Sequence, residues 1–211
     1  MSHDERLFKL NWPSSIIICG PSKAGKTVFT SKFIRHIDSV SNVSPSEIRF
    51  YFSEYQPAYQ EMACLHRVRF IQGLPDMQEL KADSANPKLL ILDDLMIDAK
   101  DGQLNELFTR GVHHWNCSVV FIVQNLFFGG RTARVNAHYL VLFKNPSDKL
   151  QVTTLAKQLY PKNSKYFMDA FQDATSQPFC YLFVDCSQTC PDNLRLRTNI
   201  FPGEVTFVYV P

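Results

Sequence analysis

Three observations in this sequence predict an α/β fold with a mostly parallel central sheet. Apolar, β-branched runs of strand length recur along it, helical patterns fall between several of them, and a glycine-bearing loop joins the first run to the first helix. Strands buried on both faces and joined by crossover helices require this alternation. At 211 residues the chain is expected to form one domain, 1–211, comprising an N-terminal segment 1–13, a core 14–176 and a C-terminal hairpin and tail 177–211.

Ser15–Cys19 is the first expected strand, a short run of SIIIC. From Lys26 the spacing becomes helical, with Phe29, Phe33, Ile37 and Val40 on one face, until Ser44-Pro45 should end it. Further strands are expected at Ile48–Ser53, Val68–Gln72, Leu89–Leu92, Val119–Gln124 and Tyr139–Phe143, and helices at Gln103–His113, Leu150–Leu159 and Tyr166–Phe171. The tail differs in kind. Phe179–Asp185 and Leu194–Ile200, joined by a polar loop with Pro191-Asp192-Asn193, read as an antiparallel hairpin. Val205–Val210 reads either as another edge strand or as an arm that docks on a neighbour.

Composition narrows the classes. Hydrophobic residues at 45% and charged ones at 20% are globular proportions, which excludes a disordered chain. The net charge of +2 means that affinity for nucleic acid would have to come from a local basic face or from a ring of copies. The start, MSHDERLFKLNW, lacks the apolar centre of a signal peptide, and no apolar run reaches membrane-span length, so an intracellular protein is expected. Six scattered cysteines without a C-x-x-C pair read as reduced thiols.

Gly20-Pro21-Ser22-Lys23-Ala24-Gly25-Lys26-Thr27 fits G-x-x-x-x-G-K-[ST], the Walker A pattern, between a buried strand and a helix start. Glycines let such a loop curl so that its N–H groups converge on phosphate oxygens, and the helix N-terminus adds favourable partial charge. Lys26 would reach the β- and γ-phosphates of ATP, and the Thr27 hydroxyl would ligate Mg²⁺. Lys23 reads either as a further phosphate or DNA contact or as a solvated loop lysine.

Leu89–Leu92 ends in Asp93-Asp94, and a metal-bound phosphate site needs an acid at the end of a nearby strand. Asp93 is the candidate Mg²⁺-associated acid and Asp94 the candidate base for the attacking water; both could instead cap the turn that follows. Gln124 ends Val119–Gln124, where it would contact the γ-phosphate or the lytic water, or be an ordinary surface glutamine.

The succession GPSKAGKT, LLILDD, LFTRGVHHWNCSVVFIVQNLF and RTARVNAHYLVLFKNP resembles the FtsK/HerA superfamily of DNA-pumping ATPases. Within it, the sequence is most similar to the genome-packaging ATPases of poxviruses and of Polinton- and adintovirus-type DNA viruses. The similarity spans about Ile16 to Pro202. It implies a RecA-like (ASCE) P-loop NTPase core that hydrolyses ATP with Mg²⁺, assembles as a homo-oligomeric ring and moves double-stranded DNA into a viral capsid. By motif, Gly20–Thr27 become the phosphate loop, Asp93 and Asp94 the acidic pair, Gln124 the sensor and Arg110 the arginine finger. Arg131 and Arg134, followed by Lys144, form a basic cluster that would face DNA, a neighbour's nucleotide, or solvent. The pattern departs at Asp94, where cellular translocases carry glutamate.

The resulting expectation is a DNA translocase for viral genome packaging, with capsid proteins as partners and virion assembly in the host nucleus or cytoplasm as its setting. The alternatives are a HerA-like DNA-processing translocase and a nucleotide-gated assembly protein that does not move DNA.

Overall fold

The computed structural model describes residues 9–65, 67–95, 106–127 and 134–211. Their strands form one nine-stranded sheet in the order β3-β2-β4-β5-β1-β6-β7-β8-β9. The strands are β1 Ser15–Cys19, β2 Glu47–Phe52, β3 Val68–Gln72, β4 Lys88–Asp93, β5 Cys117–Val123, β6 Tyr139–Phe143, β7 Tyr181–Asp185, β8 Leu196–Thr198 and β9 Phe207–Tyr209. All pairings among β1 to β6 are parallel, and β6 to β9 continue the sheet antiparallel. The hairpin expected of the tail is thus β7 and β8, and the last segment adds β9 as an edge strand.

Alternation along the buried strands divides the core into two layers. Ile16 and Ile18, Leu89 and Ile91, and Val120 and Ile122 face α1 (Lys26–Arg35), α2 (Ile37–Val40) and α3 (Gln60–Ala63). Ile17, Leu90, Leu92, Val119 and Phe121 face the opposite layer. That layer holds α4 (Met77–Ala82), a π-helical stretch Leu107–Gly111 running into α5 (Val112–His114), α6 (Leu150–Leu159) and α7 (Ser164–Ala174). Among the described residues no helix is long and apolar enough to cross a membrane.

Several expected bounds are corrected by the structure. The first helix does not run to Ser44-Pro45: it breaks at His36 (φ −107°) and its second piece stops at Val40. The stop has a cause in Leu10, whose N–H donates to the Val40 carbonyl at 2.7 Å and whose carbonyl accepts from Asn42 at 3.0 Å. An extended segment thereby captures the chain where another helical turn would have formed. The Gln103–His113 helix is partly outside the described residues, and its described portion is π-helical from Leu107 to Gly111, which carries one extra residue per turn past β5. Two short helical stretches were not anticipated, Pro57–Ala63 and Met77–Ala82. The latter is started by Asp76, whose carboxylate accepts from the Gln78 and Glu79 N–H groups.

Phe108 anchors the π-helical stretch to the sheet. Its side chain is fully buried, with its ring edge-on to Phe121 at 6.1 Å, while two residues on the Arg110 side chain is 70% exposed and, among the described residues, forms an ion pair with Glu106 at 3.7 Å. Phe108→Ala should therefore lower unfolding free energy by about 3–5 kcal/mol in a denaturant titration, and Arg110→Ala by no more than about 0.5 kcal/mol. Similar losses for the two would show that this segment is not packed as described.

Candidate active site

β1 lies between β5 and β6, and its last residue, Cys19, is level with Val123 on one side and Leu142 on the other. The loop that follows must leave the sheet between two neighbours. Its first N–H, Gly20, donates to the Val123 carbonyl at 3.2 Å, and a Cβ at Gly20 would stand 2.7 Å from that of Phe143. Glycine is the residue that allows this approach. Gly25 is the N-cap of α1 at φ 111°, a left-handed conformation, and no side chain there bonds the first-turn N–H groups. Those donors have no intrahelical partners and point at the space over the loop.

Lys26 arches back over this loop, its Nζ donating to the carbonyls of Gly20 at 2.7 Å and Pro21 at 2.8 Å. Burial holds its pKa below the usual lysine value, and the carboxylates of Asp93 and Asp94 act in the opposite sense. Thr27 follows, half-buried in the first turn, and Lys23 is exposed at φ 63°.

Asp93 is the last residue of β4, which is separated from β1 by β5 alone. It is 7% exposed, and its Oδ2 accepts a 2.7 Å hydrogen bond from the Tyr59 hydroxyl. Tyr59 comes from the connection after β2, the other neighbour of β4, and its ring is enclosed by Phe50, Phe52, Tyr55 and Phe70. Burial raises the Asp93 pKa, while the Tyr59 hydrogen bond and the Lys26 charge lower it. Asp94, next along, turns out of the strand at φ 53° and is exposed. Gln124 follows β5 and is also exposed. The segment after it is tied down by Gln151 of α6, whose Oε1 accepts from the Leu126 N–H at 2.7 Å and whose Nε2 donates to Asp148 at 2.7 Å.

The structure therefore brings Gly20–Thr27, Asp93, Asp94 and Gln124 to one edge of the sheet. Arg110 lies elsewhere, on the helix that leads into the amino end of β5, whereas the loop leaves the carboxyl end of β1. Arg131 lies outside the described residues; Arg134 sits with its guanidinium 5.1 Å from the Phe127 ring centre, and Lys144 is exposed just after β6.

Three site residues were not singled out from the sequence: Tyr59, Gln151 and Phe179. Phe179 was expected to open a strand, but β7 begins two residues later. Phe179 instead occupies a turn closed by the Cys180 N–H donating to the Gln177 carbonyl at 3.3 Å, with Pro178 before it. Its φ of 66° is one that such turns normally reserve for glycine. Its Cβ lies 3.2 Å from where a Cβ on Gly25 would stand, yet the residue is 66% exposed.

No protein-family model and no curated protein matches the sequence. Solved structures share the fold. B204, the DNA-packaging ATPase of Sulfolobus turreted icosahedral virus, superposes with a TM-score of 0.57 at 9% identity, covering 96% of this chain and 99% of that one. The genome packaging NTPase B204 of Sulfolobus turreted icosahedral virus 2, in complex with ATP-gammaS, gives 0.56 at 11% identity over 94% and 97%. EssC (ATPases 2 and 3) of Geobacillus thermodenitrificans gives 0.54 at 9% identity, covering 93% of this chain and 39% of that one. At these identities the likeness is one of fold, an α/β domain with a largely parallel sheet.

The Asp93 environment generates a prediction about stability. A carboxyl whose pKa is raised by folding favours the folded state while it is protonated, and that contribution is lost as pH rises through the raised pKa. Asp93→Asn keeps an acceptor for Tyr59 but removes the buried charge. Without nucleotide, its melting temperature should exceed that of the wild type at neutral pH, and the gap should close below the ordinary aspartate pKa of 3.8. A variant less stable than wild type at pH 7 would show that Tyr59 and Lys26 outweigh the burial.

Proposed function

We propose that the chain is an ATP-hydrolysing motor with a RecA-like (ASCE) core, working as a homo-oligomeric ring that drives double-stranded DNA into a viral capsid. The observation that carries the reading is the placement of the Gly20–Thr27 loop and the buried Asp93 carboxylate at one edge, one strand apart. Fold likeness to proteins described as DNA-packaging and genome-packaging NTPases supports the same direction. On the resemblance of its motif succession we further propose a packaging ATPase of the kind found in poxviruses and Polinton-type viruses, acting at sites of virion assembly in the host nucleus or cytoplasm.

In this reading the loop N–H groups and Lys26 bind the phosphates of ATP. Lys26 exchanges its bonds to the Gly20 and Pro21 carbonyls for charge-assisted ones to phosphate oxygens. Thr27 and Asp93 offer a hydroxyl and a carboxylate, the hard oxygen donors Mg²⁺ takes, and the ion when bound neutralises charge on the phosphates. Asp94, exposed beside the buried acid, takes the proton of the attacking water as the new P–O bond forms and ADP leaves. Gln124 orients that water. Arg110, remote from its own loop, acts on the nucleotide of the adjoining subunit, which makes turnover depend on assembly. Arg131 and Arg134 contact the DNA backbone, and contacts of that type carry no sequence information.

ATP turnover measured with and without duplex DNA tests the proposal. Duplexes of unrelated sequence should stimulate turnover alike, and the stimulation should fall steeply as salt rises. Turnover indifferent to DNA would leave a nucleotide-gated assembly protein as the better account.

The two acids should separate by phenotype. Asp94→Asn should bind ATP almost normally while turnover falls by roughly 10²-fold or more. Asp93→Asn should instead shift the magnesium requirement upward. Identical responses in a magnesium titration would refute this division of roles.

A further inference from the structure

We propose that Phe179 is the stacking platform for the base of the bound nucleotide, so that this ring sets affinity for the nucleoside half of the substrate. The inference rests on the phosphate-loop reading above and adds to it the direction in which the nucleotide lies. Asp93, Asp94 and Gln124 all come from the β4 and β5 side of the loop, which fixes where the terminal phosphate must be. The sugar and base must then extend to the other side, toward β6 and β7. Phe179 stands there, immediately before β7 and against Gly25 at the start of α1.

Its conformation argues for a role beyond packing. A bulky L-residue at φ 66° is strained, and glycine would relieve the turn at once. Burial does not compensate, since the residue is exposed. Val28, another apolar side chain at 58% exposure, lies one helical turn beyond Gly25 on α1. The outer side of the loop thus carries a flat aromatic surface and an aliphatic one that the fold itself leaves uncovered. A heterocyclic base is the part of a nucleoside triphosphate that such surfaces take. Stacking of this kind reads ring area more than hydrogen-bond pattern, so purine triphosphates should bind better than pyrimidine ones.

The experiment is calorimetric titration of the full chain with Mg²⁺ and either ATP, GTP, CTP or inorganic tripolyphosphate. Phe179→Ala should lose about tenfold in ATP affinity and keep its tripolyphosphate affinity, while Phe179→Trp retains both. Phe179→Gly should lose ATP affinity likewise, yet melt at a higher temperature than wild type without nucleotide, because the strained φ becomes a permitted one. ATP affinity within about twofold of wild type in both small variants would overturn the proposal. So would a parallel loss of tripolyphosphate binding, which would make the ring a buttress for Gly25. A wild-type chain that binds neither ATP nor tripolyphosphate would overturn the phosphate-loop reading and this inference with it. Loss of both ligands on Lys26→Ala, with ATP retained by Phe179→Ala, would overturn the base platform alone.

Discussion

The site depends on a close approach: the chain leaves β1 through a gap set by β5 on one side and Phe143 of β6 on the other, with 2.7 Å between a would-be Gly20 Cβ and the Phe143 Cβ. A side chain at Gly20 would push the loop off β6 and away from the Val123 carbonyl that receives its first N–H. The rest follows in order. The loop can close only if Gly25 adopts its left-handed turn, and α1 can then begin with its free donors over the loop. Phe29 and Phe33 hold that helix against the sheet, so the loop has a rigid floor.

The second constraint is electrostatic. An ammonium and a carboxylate lie partly or wholly out of water, and burial works against the charge on each. Each has local compensation. Lys26 is satisfied by two backbone carbonyls and Asp93 by the Tyr59 hydroxyl, itself fixed by the aromatic rings around it. Because Tyr59 belongs to the connection after β2, the position of one carboxylate oxygen depends on a strand that never touches the loop. Charges held this way are pre-organised at the expense of stability, a pattern expected where polar groups are kept for chemistry.

How much could be read beforehand depended on whether a signal was local. Gly20–Thr27 was legible because the loop, its strand and its helix are contiguous. Asp93, Asp94 and Gln124 were legible because strands buried on both faces end visibly in polar residues. Tyr59 and Phe179 were not, for a topological reason. Tyr59 reaches Asp93 because β2 pairs with β4, and Phe179 reaches Gly25 because β7 pairs with β6; strand order is not written in any single segment. The His36 break was hidden as well, since Phe29, Phe33, Ile37 and Val40 keep a helical spacing across it, and the stop comes from Leu10 far away along the chain. Phe179 did leave one local trace: an aromatic directly after proline, in a turn that favours glycine.

For the proposed motor, the bonds from Lys26 to the Gly20 and Pro21 carbonyls would have a kinetic meaning. When a product departs from a phosphate loop, the lysine that held it would ordinarily be stranded, and a partly buried cation without partners raises the barrier to release. Here the ammonium has a docking place of its own within the same loop. In the proposed motor, the departing phosphate would be exchanged for these carbonyl oxygens step by step, so the lysine would not be left without partners. On that reading, residence time of the spent nucleotide would be governed by whatever grips its other end.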